Sequence, residues 1–156
     1  AFPHWGYNYQ YVSQKQKNLA RILCDSGADI VIGHGSHMLQ EIERYKKKWV
    51  VYSIGNFVFN SPGRFAYFDV LPYGLIGQLN FWIRNDKMTC NLHLYPIRSD
   101  NKKTNHQPNF VSHAEFDQVV NFYMPTENSS NGIQSFVRSG KDKWGYYLSL
   151  EVVMSQ

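Results

Sequence analysis

Five residues, Gly33-His34-Gly35-Ser36-His37, put two imidazoles on one short loop directly behind the apolar run Ala28-Asp29-Ile30-Val31-Ile32. Neutral imidazole ligates zinc, iron and manganese, and flanking glycines let a loop fold tightly enough for two rings to converge on one centre. His4 follows a second apolar segment and is trailed by Trp5-Gly6, so it too reads as a strand-to-loop exit that could face the same edge. In open α/β sheets that edge, at the carboxyl ends of the strands, is where ligands bind. His4, His34 and His37 are therefore candidate metal ligands. For any one of them taken singly, a histidine satisfied by a backbone carbonyl is the competing reading. Asn56, behind Ser53-Ile54-Gly55, could present a carboxamide to the same edge, as a ligand, a donor to a ligand or a substrate contact, or could simply form a turn. His93, His106 and His113 fall in mid-strand or in a polar connection and are expected to have surface or capping roles.

The elements that would position these groups follow from periodicity. Residues 13–26 carry Leu19, Ala20, Ile22 and Leu23 at helical spacing, with Gly27 where a C-terminal cap belongs. Residues 28–32 have the composition of a strand buried on both faces. Residues 41–45 and 49–54 form strand-like runs around a turn at Lys46-Lys47-Lys48, read as a solvated hairpin tip. Two long strands, 75–84 and 88–97, meet at Arg84-Asn85-Asp86-Lys87, with Leu92, Leu94 and Ile97 pointing inward. Residues 98–112 read as a surface connection, 114–123 as a short helix, 124–132 as loop and 145–154 as a last strand.

The chain has 156 residues, a net charge of +4 and 43% hydrophobic residues, which fits one globular domain. Its scattered lysines give no nucleic-acid signature, and no nucleic-acid partner is expected. No apolar run approaches the roughly 20 residues needed to span a bilayer, and no signal-peptide pattern opens the chain. Its start on Ala1-Phe2-Pro3 suggests a fragment or a processed chain. Cys24 and Cys90 lack metal or disulfide spacing and are expected as reduced core thiols.

The segments His4-Trp5-Gly6-Tyr7-Asn8-Tyr9, Gly27 through His34, His37 through Gln40, and Tyr52-Ser53-Ile54-Gly55-Asn56-Phe57-Val58-Phe59 together resemble the CapA/PgsA family, the bacterial poly-γ-glutamate and capsule synthesis proteins. The resemblance covers roughly residues 3–98, with 99–156 less certain. It implies an α/β fold, part of a two-sheet αββα sandwich like that of the calcineurin-type metallophosphoesterases. This chain, 1–156, would be the C-terminal part of a larger domain. It also implies one or two divalent ions (Zn, Mn or Fe), with His4 as a lone ligand and His34 and His37 as the paired histidines and catalytic groups. Ser36, Trp5, Asn8 and Asn56 would lie around them, toward substrate or ligands. Aspartates and an Asn-His pair from the N-terminal half, or from a second chain, would complete the cage.

Three positions depart from the family pattern: Asn8 replaces a usual Glu, Gly35-Ser36 a His-Pro pair, and Asn60 a usual Asp. A histidine missing at position 35 removes a candidate proton donor, although Ser36 could still hydrogen-bond an anionic oxygen. The resemblance implies metal-dependent hydrolysis or transfer on an envelope polymer, poly-γ-glutamate or capsular polysaccharide, or on a phosphoester. The alternative is a non-catalytic scaffold or binding component of polymer assembly. Either places the full-length protein at the bacterial cell envelope, extracytoplasmic and membrane-associated. A carbohydrate-binding module using Trp5, Trp49, Trp82 and Trp144 as stacking platforms is a third class, although aromatics at strand positions more often pack in the core.

Overall fold

The computed structural model describes residues 1–84, 86–124 and 133–154. Helix α1 spans Gln14–Asp25. It starts on a capping box, in which the Gln16 amide donates to Ser13 Oγ at 3.3 Å while the Ser13 amide donates to Gln16 Oε1 at 3.1 Å. It ends at Gly27, whose φ of +108° suits a residue without a Cβ, and the chain turns directly into strand β1, Ile30–Ile32.

Strands β2, Ile42–Tyr45, and β3, Lys48–Val51, form a hairpin whose two turn residues, Lys46 and Lys47, both have positive φ, as a tight right-twisting hairpin requires. The order is β1-β3-β2, with β1 and β3 parallel. Alternation sorts the side chains. Val31, Val50 and Tyr52 pack with Ala20 and Cys24 of α1, while Ile42, Trp49 and Val51 face the second sheet.

A four-residue helix α2, Arg64–Tyr67, precedes the long hairpin of β4, Tyr73–Arg84, and β5, Lys87–Arg98. A four-residue helix α3, Asn101–Thr104, and the two-residue β6, Asn109–Phe110, break up the 98–112 connection, which sequence reasoning left unstructured. Helix α4, His113–Tyr123, is followed by a 3-10 turn at Ile133–Ser135 and by strands β7, Val137–Asp142, and β8, Gly145–Val152. The second sheet runs β4-β5-β8-β7, with β6 on β5. The expected loop at 124–132 and the turn residue Asn85 lie outside the described residues, except for Met124 at the end of α4.

The two sheets enclose one core, in which Leu92, Leu94, Leu148 and Leu150 are fully buried. Phe116, Val119 and Tyr123 of α4 close it. The Trp49 indole N–H crosses between the sheets to the Glu151 carbonyl at 2.7 Å, satisfying a donor that would otherwise be buried without a partner. The architecture is thus a mixed α/β sandwich of two sheets with helices. Cys24 and Cys90 are buried free thiols. Among the described residues no helix is long and apolar enough to cross a membrane.

Helix α4 is fixed by Glu115, whose carboxylate accepts two hydrogen bonds from Arg98 and one from the Ser112 amide at 2.8 Å. The Arg98 hydrogen bond, foremost, holds the Glu115 carboxyl at about 2, down from an ordinary 4.5. A depressed acid stabilises the fold above its unfolded value and loses that contribution as pH falls through its folded value. Glu115→Gln should therefore cost about 1–2 kcal/mol at neutral pH, discounted for the part-exposed Arg98, and most of that difference should be lost by pH 2. Urea unfolding of both proteins from pH 7 to 2 checks this.

Candidate metal edge

Before α1, the first five residues run alongside β1 as an extra parallel edge. Ala1 N donates to the Ile30 carbonyl at 2.8 Å, the Ile32 amide to Ala1 at 2.9 Å, the His34 amide to Pro3 at 3.1 Å and the Trp5 amide to His34 at 2.9 Å. This ladder makes His4 and His34 direct parallel partners. Partners in a parallel register project their side chains from the same face, so the two rings meet with centroids 4.8 Å apart. Phe2 lies against the other side of His34 at 4.5 Å.

Two glycines make room for this edge. Gly33 sits where the Trp5 indole N–H donates to the Tyr52 carbonyl at 2.7 Å, and a Cβ there would overlap both atoms. Gly35, at φ +108°, lies directly against the His4 ring. Burial, and secondarily the neighbouring His4, lowers the His34 pKa, which keeps a nitrogen lone pair available at neutral pH.

His37 is held differently. The Asn56 side-chain amide donates to the His37 carbonyl at 3.2 Å, which turns Asn56 Oδ1 toward the ring at 2.8 Å from Nδ1. In the neutral ring Nδ1 is therefore the protonated nitrogen, the tautomer selection that a carboxamide makes for a ligating or basic histidine. The backbone at His37 has φ +62°, a conformation that costs a non-glycine residue about 1 kcal/mol or more and recurs at functional loops. Phe59 packs on the ring at 4.4 Å and Tyr9 at 5.9 Å.

The structure thus brings two of the three expected histidines side by side and ties the third to Asn56. Among the described residues no group of three or more His, Cys, Asp or Glu side chains is arranged to hold a metal ion. Paired imidazoles suit a borderline divalent cation as part of a ligand set rather than as a closed shell. Of the residues expected around them, Trp5 is buried and anchors the edge through its indole. Ser36 is fully buried, and its hydroxyl donates to the Met38 carbonyl at 3.0 Å. Asn8 is exposed, and Asn60 accepts a hydrogen bond from Asn101 at 3.2 Å.

Sequence reasoning missed the buried amide chain behind this edge. Gln16 Nε2 donates to Gln40 Oε1 at 2.9 Å, and Gln40 Nε2 to the Gln10 carbonyl at 2.7 Å, fastening α1 to both loops. The available signal was a glutamine on the inner face of α1, at N3 of a capping box. Also missed was a hollow of about 320 Å³ beside His4, lined by Tyr7, Lys15 and Leu19.

The fold and this edge define an α/β sandwich that carries paired imidazoles where strands leave the sheet. Residues 1–61 match the model of the bacterial capsule synthesis protein family PGA_cap. Over 58 residues, 36% of this chain, it is 47% identical to the PGA biosynthesis protein CapA of Bacillus subtilis and to the capsule biosynthesis protein CapA of Bacillus anthracis. It is 38% identical over 61 residues, 38% of this chain, to a protein of Mycobacterium tuberculosis named a probable polyglutamine synthesis accessory protein. The matched stretches cover 15%, 14% and 16% of those relatives, so the chain spans only a small part of their length.

Proposed function

We propose that this chain contributes to the synthesis of an envelope polymer, poly-γ-glutamate or a capsular polysaccharide, and that its histidine edge supplies ligands to a divalent cation. The observation that supports this best is the parallel register that sets His4 against His34. Both would offer ring nitrogens to the ion, and His37, through Nε2, would act as a further ligand or as a base at the same loop. A bound divalent ion supplies a Lewis acid and a water acidic enough to ionise near neutral pH. The residues of this chain do the rest. Gly35 leaves room for the His4 ring, Asn56 holds the His37 tautomer, and Lys15 in the adjoining hollow can receive an anionic group of the substrate. The remaining ligands would come from the N-terminal half of the domain or from a second chain, and the full-length protein would work at the cell envelope.

A scaffold role is the second reading, favoured by Ser36, whose hydroxyl is turned inward to Met38 rather than toward the histidines. Complementation separates the two. In cells lacking the gene, full-length protein carrying His34→Ala should lose polymer production by about a hundredfold or more if it supplies a metal ligand. Undiminished polymer from a normally expressed His34→Ala protein would leave only the scaffold.

A further inference from the structure

We propose that the cavity at the Arg44 end of the small sheet binds a carboxylate-bearing chain through the Arg44 and Arg138 guanidinium groups. The cavity has a volume of about 630 Å³, and Trp82, Phe136, Asn91 and Glu151 also line it. Arg44 projects from β2 with its guanidinium 3.7 Å from the centre of the Phe136 ring and 5.6 Å from that of Trp49. Its Nε is buried and has no hydrogen-bond partner. A buried guanidinium N–H without an acceptor is destabilising, and a shift of the Arg44 side chain toward an oxyanion in the cavity would relieve it. Arg21 and Arg98 pair with Glu43 and Glu115, whereas among the described residues no carboxylate pairs with Arg44 or Arg138.

Charge and shape select the ligand class. Two guanidinium groups against the single Glu151 carboxylate leave one excess positive charge, which matches a singly charged carboxylate better than a dianionic phosphate. The guanidinium fork matches a planar carboxylate bidentately. Phe136, 48% exposed, and Trp82, 44% exposed, offer apolar surface to the methylene groups between successive carboxylates. The site goes beyond the metal reading and is separate from it, because β3 runs from Trp49 at the cavity to Val51, and the histidines lie past that far end.

Calorimetric titration of the protein with hexaglutamate tests the proposal. Saturable binding is expected that weakens with added salt, and that weakens about tenfold or more in Arg138→Gln and in Trp82→Ala, both changes at part-exposed positions outside the core. Arg44→Lys, which keeps the charge and removes the fork, should also weaken it, while His34→Ala should leave it unchanged. Absence of saturable binding would overturn the proposal, as would equal affinity for hexaglutamine or for a short polyphosphate, or wild-type affinity in both Arg138→Gln and Trp82→Ala. Hexaglutamate binding that persists when metal binding fails would count against the histidine reading alone.

Discussion

Gly33→Ala is expected to lower the unfolding free energy by about 3 kcal/mol or more, a large fraction of the margin of an ordinary domain. Its Cβ would fall between the Trp5 indole nitrogen and the Tyr52 carbonyl oxygen, the donor and acceptor of one buried hydrogen bond. Neither atom can step aside cheaply. Tyr52 carries its carbonyl on the backbone just beyond β3, and Trp5 is wedged against the Tyr52 ring with centroids 5.9 Å apart. Overpacking costs about 1–3 kcal/mol, and separating two buried polar groups without replacement adds about 1–3 kcal/mol. Gly33 also donates to the Val51 carbonyl and accepts from the Ile54 amide, so a local shift would spread along the strand that carries the histidines. Denaturant unfolding of Gly33→Ala measures the loss, and a midpoint within error of the wild type would refute this account of the edge.

Gly35→Ala should have the largest effect on the site at a smaller cost to the fold. The added Cβ would overlap the His4 ring at Cδ2 and Nε2, and the backbone at φ +108° is one that alanine adopts only under strain. His4 is exposed, so its ring can swing outward, which relieves the overlap and dissolves the pair with His34. The expected outcome is a stability loss of about 1–2 kcal/mol together with a fall in divalent-metal affinity as large as that of His4→Ala. A Gly35→Ala protein that binds metal like the wild type would show that the pairing of these rings does not matter.

Much of this was legible in the residues. Helix α1, its glycine exit, the β1 strand and both hairpins follow from periodicity and turn chemistry, because each has a buried face and a distinctive terminus. Leu92, Leu94 and Ile97 are buried as expected. The opposing Leu79, Phe81 and Ile83 remain 40%, 54% and 78% exposed, because β4 is an edge strand and its outer half has little packed against it. Strand β7 was not legible. Val-Arg-Ser-Gly-Lys-Asp buries only Val137, and it is a strand because β8 offers it a six-pair antiparallel ladder. Helices α2 and α3, at four residues each, are too short to establish a period.

At the site, strand-end position is what pointed to His4, His34, His37 and Asn56 in the sequence. The parallel register that joins the first two was not readable, since it depends on residues 1–5 lying beside a strand nearly thirty positions away. The aromatic content divides in the same way. Trp5 and Trp49 are packed in the cores, as strand aromatics usually are, while Trp82 and Trp144 are exposed.

The most direct test is the divalent-metal content of the purified full-length protein, measured by elemental analysis after equilibration with zinc or manganese. The pairing of His4 with His34 predicts specifically bound metal that falls to background in both His4→Ala and His34→Ala, with each variant still folded by circular dichroism. A wild-type protein without metal above the buffer level, or folded variants that retain it, would contradict the assignment.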